Sequence, residues 1–180
     1  MKKLIALVLS LLAVSSLVAG CSSGKGTTVN SGEKSVTFSL LSSPASLDPA
    51  TTTDGHSLMV ETQLFSMLVE SKGGTSNEIK PDIAESWEIS EDGLTYTFKL
   101  RDDVYFHNGK LLTADDVVYT FNRVMTEPYT SYYAAPIKSV EATDEQTFVA
   151  HLNYPFADFL TLVGGIYFGI CCEEAITAGS

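Results

Sequence analysis

The stretch IKPDIAESWEISEDGLTYTFKLRDDVYFHNGKLLTADDVVYTFNRVM, residues 79–125, decides how the rest of the chain is read. Leu94, Tyr96, Phe98 and Leu100 alternate with Thr95, Thr97 and Lys99, the period of a strand buried on one face. Trp87 and Ile89 lie on the far side of Glu91-Asp92-Gly93, where a glycine supplies the positive φ of a tight hairpin turn. His107-Asn108-Gly109-Lys110 marks a second turn. Thr113 then stands as a helix N-cap, with Asp115 and Asp116 in the first turn, where the helix dipole favours negative charge. Val117, Phe121 and Val124 or Met125 supply the helix's apolar stripe. The order is therefore strand, turn, strand, turn, helix, and the two aspartates have a structural role that makes a catalytic carboxylate pair unnecessary.

Working outward, residues 36–40 alternate apolar and polar side chains and are expected to form a half-buried strand, stopped by Pro44. Leu47-Asp48-Pro49 sets a turn, because the residue before a proline is pushed out of the helical region. From Ser57 the spacing of Met59, Leu64 and Leu68, with Val60, Phe65 and Met67 between them, predicts a buried helix ending near Ser71. A glycine-rich loop at Gly73-Gly74 follows. Beyond Pro128, residues 139–142 and 146–152 read as a strand pair, residues 159–163 as a short apolar helix and residues 166–170 as a further strand.

The central stretch also carries an ordered string of motifs: Pro81 to Trp87, then Asp92-Gly93 through Leu100-Arg101, Phe106-His107-Asn108-Gly109, and Thr113-Ala114-x-Asp116-Val117 to Phe121. In that order they resemble the large extracytoplasmic solute-binding proteins of peptide and nickel ABC importers. The resemblance implies an α/β, periplasmic-binding-protein-like type II fold of two lobes, of which this chain would hold only the N-terminal part of the first. It implies capture of a peptide and its delivery to a permease with partner ATPases, without catalysis or a cofactor. Nickel chelate, haem or another small solute is the alternative cargo, and a truncated surface lipoprotein repurposed for adhesion or signalling is the alternative role. The family's cleft-lining strip after the Leu-Asp-Pro turn falls on Thr53, Asp54 and Gly55, whose main chain would run beside an extended peptide as an added strand does. A second cleft position falls on Tyr133, although Ser131-Tyr132-Tyr133 stands here where the family often has Ser-Pro-Tyr. The family's Pro-x-Gly-Thr-Gly-Pro-Tyr segment, due soon after Ser180, does not arrive. The chain is accordingly read as a fragment, expected by itself to be poorly stable and to bind solute weakly.

The N-terminus agrees with export. Lys2 and Lys3 precede an apolar stretch, residues 4–18, too short for a comfortable membrane span, which ends in Val18-Ala19-Gly20-Cys21. Small residues directly before a cysteine fit a lipoprotein signal, residues 1–20, with Cys21 lipidated and anchoring the protein to the outer face of the cell membrane. Residues 21–35 are rich in Gly, Ser, Thr and Lys and cannot bury enough surface to fold, so they form a leash, and the solute-binding part occupies residues 36–180. The net charge of −11 leaves no basic footprint for nucleic acid. Cys171 and Cys172 are adjacent, poorly placed for an ordinary disulfide, and are expected as buried or semi-buried free thiols. His56, His107 and His151 are too scattered to specify a metal site, and no nucleophile elbow, phosphate loop or paired Cys-x-x-Cys is present, so no catalytic or metal residue is assigned.

Overall fold

The computed structural model describes residues 36–71 and 78–178. The readings made for residues 1–35, Cys21 among them, and for the loop at Gly73-Gly74 lie outside the described residues. Residues 36–39 belong to one compact unit and residues 40–178 to another.

The second unit is built on hairpins. β3 (Ala84–Ile89) and β4 (Thr95–Leu100) pair antiparallel, and Gly93 closes their turn with φ +66. β5 (Ile137–Asp144) and β6 (Thr147–Leu152) pair in the same way, and β4 joins β6 to give one sheet in the order β3-β4-β6-β5. The β4–β6 register sets Phe98 opposite Phe148 and Tyr96 opposite Ala150, so the apolar faces of the two hairpins meet. Gly109 turns residues 106–110 with φ +85, and the Phe106 N–H donates across that turn to the Lys110 carbonyl (2.9 Å). α2 (Ala114–Thr126) lies over the sheet with Val117, Phe121 and Val124 fully buried. Its start is capped as the sequence requires: the Thr113 N–H and hydroxyl both donate to Asp116 Oδ2, at 3.0 and 3.1 Å. Phe121 packs against Phe148 (centroids 4.7 Å apart) and Phe168 (4.9 Å), joining helix, sheet and C-terminal segment in one aromatic core.

Three expectations need correction. Residues 36–40 form no strand; alternation alone makes no ladder, and no described segment pairs with them. The helix predicted from Ser57 to Ser71 is α1 (Gly55–Leu64), and the apolar run after it turns into β1 (Val69–Ser71), paired antiparallel with β2 (Ile79–Pro81). Tertiary hydrogen bonds take over there: the Ile83 and Ala84 N–H groups donate to the carbonyls of Met67 and Leu68. The buried face of α1 is Ser57 and Glu61, whereas Met59 and Leu64 are exposed, the reverse of the predicted stripe. Residues 166–170 hold a 3₁₀ turn, Ile166–Phe168, instead of a strand, because Phe168 must turn inward to the aromatic core. The short helix α3 (Phe159–Val163) is found where expected, and α4 (Glu173–Ala178) was not anticipated.

Candidate functional site

The segment between the Leu47-Asp48-Pro49 turn and α1 is held from several sides. The Asp48 carboxylate receives both arms of the Arg123 guanidinium from α2, at 2.9 and 2.6 Å, and the Ala50 N–H at 3.2 Å. A fork-to-fork pair of this kind fixes direction as well as distance. The Thr130 hydroxyl, fully buried, donates to the Ala50 carbonyl at 2.9 Å and so ties the loop after α2 to this turn.

Asp54 is the N-cap of α1. Its Oδ1 accepts from the N–H groups of His56 (3.2 Å) and Ser57 (3.0 Å), and its Oδ2 from the Thr52 hydroxyl (2.9 Å). Hydrogen bonds from Ser57 hold its carboxyl down at about 2 against the opposing effect of burial, with smaller help from Thr52 and His56. The side chain is thereby committed to the helix, and what the segment offers a ligand is main chain. Thr53 and Gly55 are exposed, and the N–H and C=O of Thr53 are engaged by no hydrogen bond among the described residues.

Tyr133 sits in the loop joining α2 to β5. Overlapping turns stiffen that loop without the proline: Ser131 N–H donates to Glu127 O, Tyr133 N–H to Thr130 O and Ile137 N–H to Ala134 O. The Thr130–Ala50 hydrogen bond ties the loop that carries Tyr133 to the turn that precedes Thr53. The ring of Tyr133 stacks on Tyr167 at 4.3 Å and 20°, and Tyr132 lies against it at 4.0 Å and 35°.

Sequence reasoning missed Glu61. It is fully buried one turn after Ser57, and among the described residues neither carboxylate oxygen has a hydrogen-bond partner. Burial, with the charges of Asp48 and Asp54 adding to it, pushes its carboxyl up to about 7. The only signal in the sequence was an acid standing between two apolar clusters, Leu58 to Val60 and Leu64-Phe65.

A recess of about 360 Å³ lies elsewhere, lined by Leu64, Phe65, Val104, Phe106, Ile170 and Cys172 among others, and none of Thr53, Asp54, Gly55 or Tyr133 borders it. Cys171 and Cys172 are free and buried as expected, and burial pushes the Cys171 thiol up to about 12. The three histidines remain apart: His56 meets Ser42 and His151 meets Glu141 and Thr95, while His107 borders the recess. Among the described residues no group of three or more His, Cys, Asp or Glu is arranged to hold a metal ion.

With this geometry in view, the chain can be set beside known proteins. The profile of bacterial extracellular solute-binding proteins, family 5 Middle, matches residues 78–171. The haem-binding protein A of Haemophilus influenzae is 39% identical over 152 residues, covering 73% of this chain and 28% of that protein. The dipeptide-binding protein of Escherichia coli is 35% identical over 162 residues, covering 78% of this chain and 30% of that one. Among solved structures, the ABC transporter-associated periplasmic binding protein DppA from Helicobacter pylori, in complex with the peptide STSA, superposes with TM-score 0.66 at 36% identity, over 75% of this chain and 30% of that one. The α/β periplasmic-binding-protein fold expected from the motifs is the fold these likenesses share, and the chain spans about 30% of the length of the relatives it matches.

Proposed function

Because the chain belongs to the bacterial extracellular solute-binding proteins of family 5, which bind solutes without catalysis, we propose that it is the receptor part of an ABC importer and captures short peptides outside the membrane. One observation carries the choice of peptide. The exposed main chain at Thr53, without a hydrogen-bond partner among the described residues and fixed at the head of α1, can match the N–H and C=O groups that every peptide presents. Backbone pairing of this kind suits a receptor for varied sequences, and Asp54 supports it by holding the strip rigid. The permease and its ATPases are the partners that receive the loaded receptor. Lipid on Cys21, with residues 22–35 as a leash, would keep the receptor at the outer face of the cell membrane.

Haem is the second reading, favoured by the 39% identity to a haem-binding protein. Isothermal titration of the full-length protein with a di- to hexapeptide pool, and separately with haem and nickel chelate, decides between them. Saturable heat with peptides alone supports the proposal; binding of haem or nickel chelate without peptide would refute it. Mass spectrometry of the membrane-extracted protein should find a diacylated N-terminal Cys21, and an unmodified mature N-terminus would remove the anchor.

A further inference from the structure

Helix α1 is seated on polar groups. Its buried residues are Ser57 and Glu61, both fully enclosed, while Met59 and Leu64 are exposed. Ser57 is well served: its Oγ accepts from the N–H groups of Ala45 (2.9 Å) and Ser46 (3.3 Å), and its own N–H donates to Asp54. Glu61, one turn on, has no hydrogen-bond partner among the described residues at either carboxylate oxygen. A carboxyl so placed is tolerated as the neutral acid and strongly disfavoured as the anion.

The surroundings do not relieve the anion. Asp48, in the turn before α1, and Asp54, at its cap, both add negative charge. Arg123 of α2 is committed to Asp48 through two hydrogen bonds. The C-terminal segment brings the Cys171 thiol, which burial pushes up to about 12 and so keeps neutral. The 3₁₀ turn beside α1 carries Tyr167, whose ring stacks on Tyr133. On α1 itself, His56 meets the Ser42 hydroxyl at 3.0 Å. Asp54, held at about 2, stays ionised, whereas Glu61, pushed up to about 7, changes state near neutrality. Once ionised, it gains water only if the helix loosens or shifts from its seat. α1 begins at Gly55, directly after Thr53 and Asp54, so such a shift carries the cap and the exposed strip with it. No fully buried apolar side chain of α1 opposes the movement.

We propose that Glu61 is a proton latch for solute capture: its neutral carboxyl lets α1 seat and present the Thr53 strip, and its ionisation releases helix and strip together. The proposal rests on the reading of that strip as the place where peptide main chain pairs. Capture is thereby tied to the acidity outside the membrane, with solute held below neutral pH and let go above it.

The test titrates the full-length protein calorimetrically with trialanine at pH 6 and 8.5, and repeats the alkaline titration in a second buffer of different ionisation enthalpy to count protons. The dissociation constant should rise about tenfold to thirtyfold at pH 8.5, where about one Glu61 in thirty still holds its proton, and binding there should take up close to one proton. Glu61→Gln should bind at both pH values as the original does at pH 6, with no proton uptake, and His56→Gln should keep the pH dependence. Without peptide, the amides of residues 55–64 should exchange faster at pH 8.5 than the intrinsic rate accounts for, and Glu61→Gln should abolish the excess. An affinity that does not change with pH, or a pH dependence that survives Glu61→Gln, overturns the latch and leaves peptide capture standing. If the variant fails to fold, the proton count and the exchange of the unaltered protein decide: no uptake and no excess exchange overturn the latch. Failure of trialanine to bind at either pH overturns the peptide reading and the coupling to capture with it.

Discussion

Replacing Glu61 by glutamine should stabilise the protein at alkaline pH and leave it little changed in mild acid. The carboxylate is fully buried, neither oxygen has a hydrogen-bond partner among the described residues, and Asp48 and Asp54 add unfavourable charge. Its folded-state pKa of about 7 stands above the ordinary 4.5 of the unfolded chain. A raised value means that the folded state holds the proton more tightly. The associated stability is therefore fully present below pH 4.5, declines as pH rises through 7 and is gone above it. That displacement, at 1.36 kcal/mol per unit, is worth about 3 kcal/mol. A glutamine side chain has the same shape and no charge to lose, so the difference between the two proteins isolates the titration of this one group. Asp54, held at about 2, stays ionised across the range and cancels. Urea unfolding followed through Trp87 fluorescence at pH 4.5 and 8.5 measures it. The Glu61→Gln protein should gain about 3 kcal/mol over the original between those two conditions. A difference that stays constant with pH would show that Glu61 is charged and compensated in the folded state, and the reasoning would fall.

Other perturbations follow from the same contacts. Arg123→Ala leaves the half-buried Asp48 without its fork and should cost about 1.5–3 kcal/mol in urea unfolding, with Arg123→Lys recovering only part because an ammonium cannot reproduce two parallel bonds. Thr130→Val strands the Ala50 carbonyl and should cost about 1–3 kcal/mol; slower amide exchange near residue 50 in the variant would contradict it. Asp54→Ala removes the α1 cap, and with it the acid-labile stability present above pH 3.8 and lost as pH falls toward 2. The midpoint of acid unfolding should therefore lose that component, as circular dichroism would show. Phe121→Ala opens the shared aromatic core and should cost about 3–5 kcal/mol, and a loss below 1 kcal/mol would mean that the cavity collapses.

Much of this fold was legible because its local signals agree with its long-range ones. Gly93, Gly109 and Thr113 each specify a turn or a cap whatever surrounds them, and all three do so here. The strand facing of Tyr96, Phe98 and Leu100 followed from alternation, since one face of β4 is covered and the other is not. The failures lie where tertiary contacts choose between equal local options. Residues 65–71 are an apolar run that suits helix or strand, and the partners that settle it, Ile83, Ala84 and β2, are distant in sequence. Residues 166–170 have strand composition, but the place of Phe168 in the core bends them. The cap at Asp54 is a local pattern, whereas the stacking of Tyr133 on Tyr167 joins residues more than thirty apart, and no periodicity announces it. Glu61 was hidden for the opposite reason: apolar neighbours suggested that they, and not the acid, faced inward.

The order β3-β4-β6-β5 has a consequence for how the chain assembles as it leaves the ribosome. Each hairpin closes within its own short segment, but β4 waits for β6, which ends at Leu152, 52 residues after Leu100. At ordinary synthesis rates that interval is on the order of 3–10 s, long compared with the microseconds in which a hairpin forms. Throughout it, the first hairpin displays the apolar side chains Tyr96 and Phe98 along an unpaired backbone edge, the kind of surface that recruits a neighbouring chain. α2 is made within this interval but packs on β5 and β6, and the rings of Tyr96 and Phe98 find their partners in Phe159 and Phe148, so the stretch that decided the fold stays uncovered until the later segments arrive.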